Sequence, residues 1–333
     1  MELDSRWANI MAKLVDETAF RINKAIDYID DNLHNKLCLK GLSDISCFSL
    51  HHFHRLFQTL TGQPPGFYIK RLRMKKAITL LCGRKSLPIS QVSELCGYST
   101  VSNFSKTFSE HFGVSPSSVK KKLNIGNIKD YNQIIHNELA DSKLKDNLNC
   151  ESLSRFHNSC CELLGDAVYD QLLSAPDIKT EEIGDISYMY SRHFGSYKPE
   201  DIRHFTARHF SYAHEIYKLF PETKMLGIFL DCPNFTPHEY CRYDAGITIP
   251  DGFEEFKLIG KRKIAAGLYA TISLEIPLRL TRYIWCFFRA EWLPNTSYEV
   301  DYRPSFCEYM PIKDVPITEK LKVKFYLPVS AAK

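Results

Sequence analysis

Two stretches in the first half of the chain place apolar residues at the three- and four-residue spacing of an amphipathic helix. The first stretch predicts a helix over residues 50–61, with Ser49 at the N-cap and Gly62 at its end. A shorter apolar stripe precedes it, so the pattern predicts helix, turn, helix. The stripe residues are Leu39, Leu42 and Ile45, then Phe53, Leu56, Phe57 and Leu60.

The same pattern returns in a second copy. Residues 89–116 align with residues 39–65 at an offset of 50, which becomes 51 after the turn because the second copy has one more residue there. Gly97 lies in that turn, where a positive φ is often needed. The repeat predicts two helix-turn-helix units, in which the second helix of each enters the DNA major groove. After the turn, Phe53, Phe57, Gly62 and Pro65 match Phe104, Phe108, Gly113 and Pro116.

Polar side chains of both predicted recognition helices lie off the apolar stripes. His51 and His54 are three residues apart and would allow a shared metal, but no third ligand with suitable spacing is nearby. We therefore predict no metal and no cofactor. We interpret His51, His54 and Arg55 as donors to a nucleic acid. The matching polar groups in the second copy are Ser102, Asn103, Ser105 and Lys106, and Asn and Arg suit adenine and guanine edges.

Between the copies, residues 66–85 predict one long helix that holds the recognition helices apart. Two such helices on one rigid chain could enter major-groove segments about 34 Å apart, so a monomer could read two half-elements. Basic side chains of this helix are expected near phosphates, although a solvated charged face explains part of them equally well. They are Lys70, Arg71, Arg73, Lys75 and Lys76.

Charge is distributed unevenly over the 333 residues. Residues 51–125 hold 12 Lys and Arg against 2 Asp and Glu, whereas residues 126–333 hold 25 against 29. This asymmetry favours one domain that binds nucleic acid and a second domain with another role. A basic face that is merely solvated is the alternative.

Membrane and secreted classes are not favoured by the sequence. No apolar run reaches the roughly 20 residues that cross a bilayer, and the first residues lack the pattern of a signal peptide. The 11 cysteines are odd in number and include no CxxC pair, which indicates reduced thiols rather than a zinc site or a disulfide framework. We expect a cytoplasmic protein associated with the nucleoid and with no membrane partner.

From about residue 178 the chain becomes rich in aromatic residues, and 15 of the 18 tyrosines follow residue 125. Strand, helix, strand, strand occurs twice, which predicts two βαββ units with an antiparallel sheet. The fold class is therefore multidomain: an all-α double helix-turn-helix domain, then an α+β domain. The predicted bounds are residues 20–122 for the first domain, 123–177 for a polar linker and 178–330 for the second domain.

The N-terminal part closely resembles the bacterial AraC/XylS transcriptional regulators across roughly residues 20–122. The resemblance rests on the first copy, on YIKRLRMKKAITLL and on ISQVSELCGYSTVSNFSKTFSEHFGVSPSSVK. It implies double-stranded promoter DNA as a partner, with RNA polymerase as a second. The base-facing positions of that family fall on His51, His54 and Arg55, and on Val101, Ser102, Asn103, Ser105 and Lys106.

The C-terminal part resembles GyrI-like effector-binding domains, in segments such as HFGSY, GLYAT and FCEYMPI. The domain order is similar to that of Rob-type regulators. The resemblance implies a cleft for a small aromatic, often cationic effector, and a role in multidrug or stress response. One departure is LEIPLRL, where the family usually has a Gly-Pro-aromatic turn, so that wall of the cleft is expected to differ.

Glu308 is the strongest candidate for effector binding. Strand alternation places Phe306, Glu308 and Met310 on one face, and a carboxylate among apolar groups is costly unless it is compensated. A lipophilic cation would compensate it, as would a salt bridge to a protein cation. Candidate ring walls, which core packing explains equally well, are Trp292, Tyr190 and Tyr197.

Two other functions compete with a ligand-responsive regulator. Glu308 and Tyr309 would be the pair for a hydrolase of reactive small molecules, although no Ser–His–Asp or Cys–His pattern supports an enzyme. An architectural or gyrase-interacting DNA-binding protein is the other alternative. We predict a regulator and not an enzyme.

Overall fold

The structure is a computed structural model. It describes residues 17–82, 87–123, 178–198, 201–202, 205–206, 220–231, 236–249, 260–277, 281–288, 292–310 and 321–331. The first two ranges are mainly helical, and the later ranges form mainly strands. The predicted linker lies outside the described residues except for its first residue, and so does the predicted end of the long helix at 83–85.

Seven helices make up the described N-terminal part, and both predicted helix-turn-helix units are among them. Helix α4 is the single long helix that the sequence predicts between the copies. The helices are α1 (Glu17–Asp31), α2 (Leu39–Ile45), α3 (Leu50–Thr61), α4 (Pro65–Cys82), α5 (Ile89–Leu95), α6 (Val101–Phe112) and α7 (Pro116–Leu123).

The same capping pattern bounds both recognition helices, α3 and α6. The Ser49 side chain accepts a hydrogen bond from a backbone N–H at the start of α3, and Thr100 does so at the start of α6. These bonds satisfy N–H groups that the helix itself leaves unpaired. Each helix ends at a glycine in the left-handed region, Gly62 with φ 73° and Gly113 with φ 77°. The predicted boundaries of α3 are therefore confirmed.

Helix α4 belongs to both copies. Its first half, with Tyr68 and Leu72, packs in the core that α1, α2 and α3 share. Its second half, with Met74 and Ile78, packs in the core of the second copy. Because one continuous helix enters both cores, the two recognition helices are held on a common rigid element.

A tight contact fixes the copies against each other. Arg73 of α4 donates to the carbonyl oxygens of Leu33 at 3.1 Å and of Asn35 at 2.8 Å. Gly97 has φ +74°, and a Cβ there would lie 2.4 Å from the same Leu33 oxygen. The matching residue in the first copy is Cys47, which has φ 53°. Only the second turn therefore needs glycine for close approach as well as for its backbone angle.

The C-terminal part is an antiparallel sheet with the order β1-β6-β9-β8-β3-β4-β2-β5, and β7 pairs with β9. Helix α8 (Thr281–Phe287) follows β6. The strands are β1 (Lys179–Ile183), β2 (Ile186–Phe194), β3 (Met225–Phe229), β4 (Arg242–Thr248), β5 (Gly260–Ile264), β6 (Gly267–Ile276), β7 (Tyr298–Val300), β8 (Ser305–Met310) and β9 (Leu321–Ala331).

An α+β domain with an antiparallel sheet is confirmed, and the sheet is larger than two βαββ units require. The second unit runs β6, α8, β8, β9, while β2, β3 and β4 are the strands of the first. Strands β1 and β5 each precede a unit and pair across the sheet with the other unit, β1 with β6 and β5 with β2. The sequence interpretation merged them with the strands that follow, because only Gly184–Asp185 and Ala265–Ala266 interrupt the extended pattern.

The two faces of the sheet are covered differently. On one face, which we call the helix face, Trp285 of α8 contacts Phe229 and Phe325 with ring centroids 5.5 and 5.2 Å apart. Strand alternation puts the neighbouring residues on the opposite face, which we call the aromatic face. Its buried cluster contains Tyr188, Tyr190, Leu226, Ile228, Leu230, Ile264, Tyr269, Phe306 and Tyr326.

Candidate DNA-reading helices and effector face

Helix α3 is anchored by two phenylalanines and presents its polar residues outward. Phe53 and Phe57 are completely buried in the first core. His51 and Arg55 are exposed, and His54 is half-buried between them. The exposed side of α3 therefore offers a guanidinium and an imidazole to an external partner, as predicted from the spacing of the apolar stripe.

Helix α6 repeats this arrangement. Phe104 and Phe108 are completely buried in the second core. Three of the predicted polar residues, Ser102, Asn103 and Lys106, are exposed, as is Val101, whereas Ser105 is half-buried. No group of three or more His, Cys, Asp or Glu side chains that could hold a metal was found among the described residues.

The basic residues of α4 do not form one phosphate-facing row. Lys70 lies 3.5 Å from Glu110 of α6 and remains partly exposed. Arg71 is only 2% exposed, and its Nε donates to Gln63 at 3.2 Å. Lys75 is 3.1 Å from the buried Asp231 of the C-terminal part, and Arg71 is 3.8 Å from it. The expected phosphate contacts of Arg71 and Lys75 are therefore inconsistent with this structure, because Asp231 takes up both cations.

An acidic face of α1 contacts arginines of the sheet. Asp30 accepts hydrogen bonds from Arg242 at 2.8 and 2.9 Å and from Arg262 at 2.9 Å. Asp31 accepts one from Arg262 at 3.1 Å. Burial by itself would raise the pKa of Asp30, but the charges of Arg242, Arg262 and Arg192 outweigh it and lower that pKa to about 2. Asp30 is thus a carboxylate at any physiological pH.

Asp27, one turn earlier on α1, binds the same region of the sheet. It accepts a hydrogen bond from Arg192 at 3.0 Å and one from the hydroxyl of Tyr190. Arg192 is held in place by a bidentate pair with Asp244, at 2.7 Å for both bonds. We call Asp27, Asp30 and Asp31 of α1, together with Arg192, Arg242 and Arg262 of the sheet, the docking surface.

Arg242 extends the docking surface to α4. Its Nε lies 2.7 Å from Asp231, and its Nη1 donates to the hydroxyl of Tyr68 at 2.9 Å. Burial would raise the pKa of Asp231, but the charges of Arg242, Lys75 and Arg71 lower it. Removing one member of such a buried network leaves an uncompensated charge, which is far more destabilising than the intact network is stabilising.

Glu308 lies on the aromatic face with two partners. Its carboxylate accepts hydrogen bonds from Lys224 and from the hydroxyl of Tyr326, both at 3.2 Å. The Glu308 side chain is 12% exposed and that of Lys224 is 53% exposed. The carboxylate is therefore largely removed from water and paired with a lysine that solvent can reach.

Aromatic rings lie beside Glu308 on the aromatic face. Phe306 and Tyr326 are stacked, with centroids 4.3 Å apart and an interplanar angle of 8°. Tyr269 meets Phe306 edge-on at 5.5 Å. Tyr190 belongs to the same buried cluster, while its hydroxyl reaches Asp27 on α1. The cluster thus runs from the neighbourhood of Glu308 to the docking surface.

Comparison with known protein families assigns both parts of the chain. A helix-turn-helix domain model matches residues 42–122, and a model of the GyrI-like small molecule binding domain matches residues 176–330. The chain carries an AraC-type helix-turn-helix domain followed by a GyrI-like domain. Both recognition helices lie in the AraC-type domain, whereas Glu308 and the sheet arginines lie in the GyrI-like domain.

Individual relatives match the AraC-type domain. The probable transcriptional regulator LumQ of Photobacterium leiognathi is 34% identical over 99 residues, 29% of this chain and 40% of that protein. The multiple antibiotic resistance protein MarA of Escherichia coli is 29% identical over 118 residues, 35% of this chain and 89% of that protein. The C-terminal domain of AraT, a response regulator from Geobacillus stearothermophilus, is 27% identical with a TM-score of 0.30, covering 31% and 84% of the two chains. The chain spans about 40% of the length of the first curated relatives that it matches.

The GyrI-like domain brings together only part of the predicted effector residues. Phe306, Glu308 and Tyr190 share the aromatic face. Tyr197 packs instead with Phe229 on the helix face, with centroids 5.4 Å apart, and its hydroxyl donates to backbone carbonyls. Trp292 stacks on Tyr298 at 6.2 Å and meets Phe288 at 5.9 Å. Tyr197 and Trp292 are therefore not walls of the Glu308 site in this structure.

Sequence reasoning missed the residues that pair with Glu308. Lys224 comes from the turn before β3 and Tyr326 from β9, and nothing local connects them to β8. Strand alternation on β9 does put Lys324 and Tyr326 on one face, which is the signal that could have found the tyrosine. Tyr309, the suggested partner in a hydrolase, alternates with Glu308 and lies on the helix face, where its hydroxyl is 3.3 Å from that of Tyr243.

Membrane spanning has no support in the described helices, since none is long and apolar enough to cross a bilayer.

Proposed function

We propose that this protein is a transcriptional regulator whose two recognition helices read neighbouring major-groove segments of a promoter, and whose GyrI-like domain senses a small effector. The observation that carries the proposal is the repeated geometry of α3 and α6 on the shared helix α4. α3 buries two phenylalanines and α6 three, and each presents exposed hydrogen-bond donors, with Arg55 on α3 and Asn103 and Lys106 on α6. Arginine and asparagine in a major groove are suited to reading guanine and adenine. RNA polymerase is the further partner that promoter binding implies.

Selection of binding sites from random duplexes by the full-length protein tests DNA reading. Arg55→Ala and Lys106→Ala should each relax the selected sequence over one half-element and weaken binding to the wild-type site by about 1–3 kcal/mol. Lys40→Ala removes the same charge from an exposed residue of α2 and serves as the control. If both recognition-helix variants select the wild-type site with wild-type affinity, α3 and α6 do not read DNA.

For the effector, we infer a lipophilic aromatic cation that binds over Phe306 and Tyr326 and pairs with Glu308. The support is a carboxylate that is largely buried among rings yet adjacent to a solvent-accessible lysine. A cation that pairs with Glu308 would displace the ammonium of Lys224. The released lysine can be solvated at little cost because it is already half exposed.

Tetraphenylphosphonium, with triphenylphosphine oxide as the neutral comparison, probes this site in calorimetric titrations. Glu308→Gln should weaken the cation about tenfold or more, an energy of about 1.4 kcal/mol, and leave the neutral compound nearly unchanged. Lys224→Met removes the competing ammonium and should tighten the cation. Equal losses for both compounds in Glu308→Gln would mean that the carboxylate is structural.

A further inference from the structure

In the part of the chain that the structure describes, contacts between the two domains involve two helices of the AraC-type domain, α1 and α4. Among the described residues, every hydrogen bond and ion pair that crosses between the domains starts from α1 or α4, and none starts from α5, α6 or α7. Phe194 of β2 also packs against the core of the first copy. The GyrI-like domain is thus attached through α1, which belongs to the first copy, and through α4, which both copies share. Lys75 and Lys76, in the half of α4 that packs in the second core, contact Asp231 and Tyr302.

The attachment through α1 consists of ion pairs between its carboxylates and arginines of the sheet. Among the described residues, Arg262 forms ion pairs only with α1, at 3.4 Å from Asp27, 2.9 Å from Asp30 and 3.1 Å from Asp31. Asp30 is bound by two arginines, one on β4 and one on β5. Three carboxylates within little more than one turn of α1 face three arginines of one sheet. The contact is therefore an organised interface rather than a set of scattered surface ion pairs.

The aromatic face provides a physical connection from the effector site to this interface. Tyr190 packs in the same buried cluster as Phe306 and Tyr326, and its hydroxyl bonds to Asp27. The rings beside Glu308 and Tyr190 are therefore parts of one continuous buried cluster. Tyr190 is in turn bonded to the helix that completes the core of the first copy.

We propose that the docking surface, which contacts α1 of the first copy, couples the effector site to the first recognition helix more strongly than to the second. This inference rests on the proposed effector function. Occupancy at Glu308 alters the docking of α1, which changes the affinity of α3 for its half-element, and the affinity of α6 changes less. The differential affinity of the effector for the two docked arrangements sets the size of the response.

Two variants, one on each side of the interface, test the proposal in the full-length protein. Asp27→Asn/Asp30→Asn removes two of the three carboxylate charges that α1 contributes to the docking surface, and Arg262→Gln removes a side chain that forms ion pairs with α1. Asp44→Asn is the matched control, because it removes a charge from an exposed residue of α2 that pairs only with Lys40 among the described residues. Hydrogen exchange of α1 peptides should accelerate at least tenfold in both interface variants, with α6 peptides unchanged.

The coupling itself is measured as the ratio of DNA dissociation constants with and without tetraphenylphosphonium. We expect a ratio of about fivefold or more in the wild type and in Asp44→Asn, and less than twofold in both interface variants. On a duplex whose α3 half-element is scrambled, the wild-type ratio should also fall below twofold. A full response in the interface variants, or an equal response from the α6 half-element, overturns the proposal. Failure of the wild type to bind the probe would instead reject the proposed effector class. The hydrogen-exchange measurement would still test whether the docking surface stabilises α1.

Discussion

The two helix-turn-helix copies have the same local design and different surroundings. Both begin the recognition helix with a hydroxyl cap, bury a pair of phenylalanines four residues apart at matching positions, and end at a left-handed glycine. The first copy, however, is covered by α1 and attached through it to the GyrI-like domain, whereas the second is completed by α7. The comparison shows which features a short repeat specifies by itself and which depend on a neighbouring domain.

The different surroundings of the two copies are reflected in residues that differ at matching positions of the repeat. Where the first copy has Cys47, the second has Gly97, and where the first has Leu60, the second has His111. Gly97 lies against the backbone of Leu33, and His111 lies beside the basic residues of α4. Each of these two positions of the second copy is therefore adapted to a contact with the first copy or with the shared helix.

The largest expected effect comes from Gly97→Ala. A Cβ would lie 2.4 Å from the Leu33 oxygen, and φ +74° is costly for alanine. We expect a loss of about 2–4 kcal/mol in the free energy of unfolding, which combines left-handed strain with overpacking. Urea unfolding followed by helical circular dichroism measures it.

Gly66→Ala is the control for that loss, because a Cβ at this helical position meets nothing within 4 Å. It should leave stability unchanged or raise it by up to about 1 kcal/mol. A Gly97→Ala protein as stable as the wild type would show that the two turns are equivalent after all.

The repeat explains how much of the AraC-type domain could be predicted. Caps, apolar stripes and terminal glycines are local signals, so α3 and the single helix α4 were predicted from a few residues each. The contacts of Arg71 and Lys75 could not be predicted in this way, because their partner Asp231 lies more than 150 residues away in the sequence. A basic residue on a helix looks the same in sequence whether it faces phosphate or a buried carboxylate.

The next effect is a pH dependence confined to the second copy. Burial, followed by the charges of Lys70 and Arg71, lowers the pKa of His111 to about 4 from an ordinary value of 6.5. Neutral His111 therefore contributes stability that is present above about pH 6.5 and is lost as the pH falls towards 4. Between pH 7 and pH 5 the loss should be about 2 kcal/mol.

His111→Leu, which copies the residue of the first unit, isolates this dependence. The variant should lose the part of the pH dependence that His111 causes, while other titrating groups continue to act in both proteins. Urea unfolding of the two proteins at pH 7 and pH 5 gives the difference. If their stabilities change in parallel, His111 is not the group responsible.

The fold class of the GyrI-like domain could be predicted from the sequence, but most of its side-chain contacts could not. Alternation along β8 correctly grouped Phe306 with Glu308, since that pattern is local. The selection of Tyr197 and Trp292 did not match the aromatic face, because which face a ring joins depends on strand pairing and on turns between strands. The spacing of Asp27, Asp30 and Asp31 was visible in the sequence as an acidic face on a helix of a basic domain, and it was the available signal for the docking surface.

The smallest effect should come from Cys47→Gly. Cys47 has φ 53°, and its side chain is exposed. The turn of the second copy has glycine at the matching position, so the fold of the turn does not depend on a side chain there. Relief of left-handed strain outweighs the extra freedom that glycine brings to the unfolded chain, so stability should rise by about 0.5–1 kcal/mol. The reciprocal change Gly97→Cys should be destabilising by several times that amount, because only the second turn presses on Leu33. Urea unfolding of both variants against the wild type decides the matter, and equal and opposite shifts would mean that backbone angle alone, rather than the contact between the copies, distinguishes the two turns.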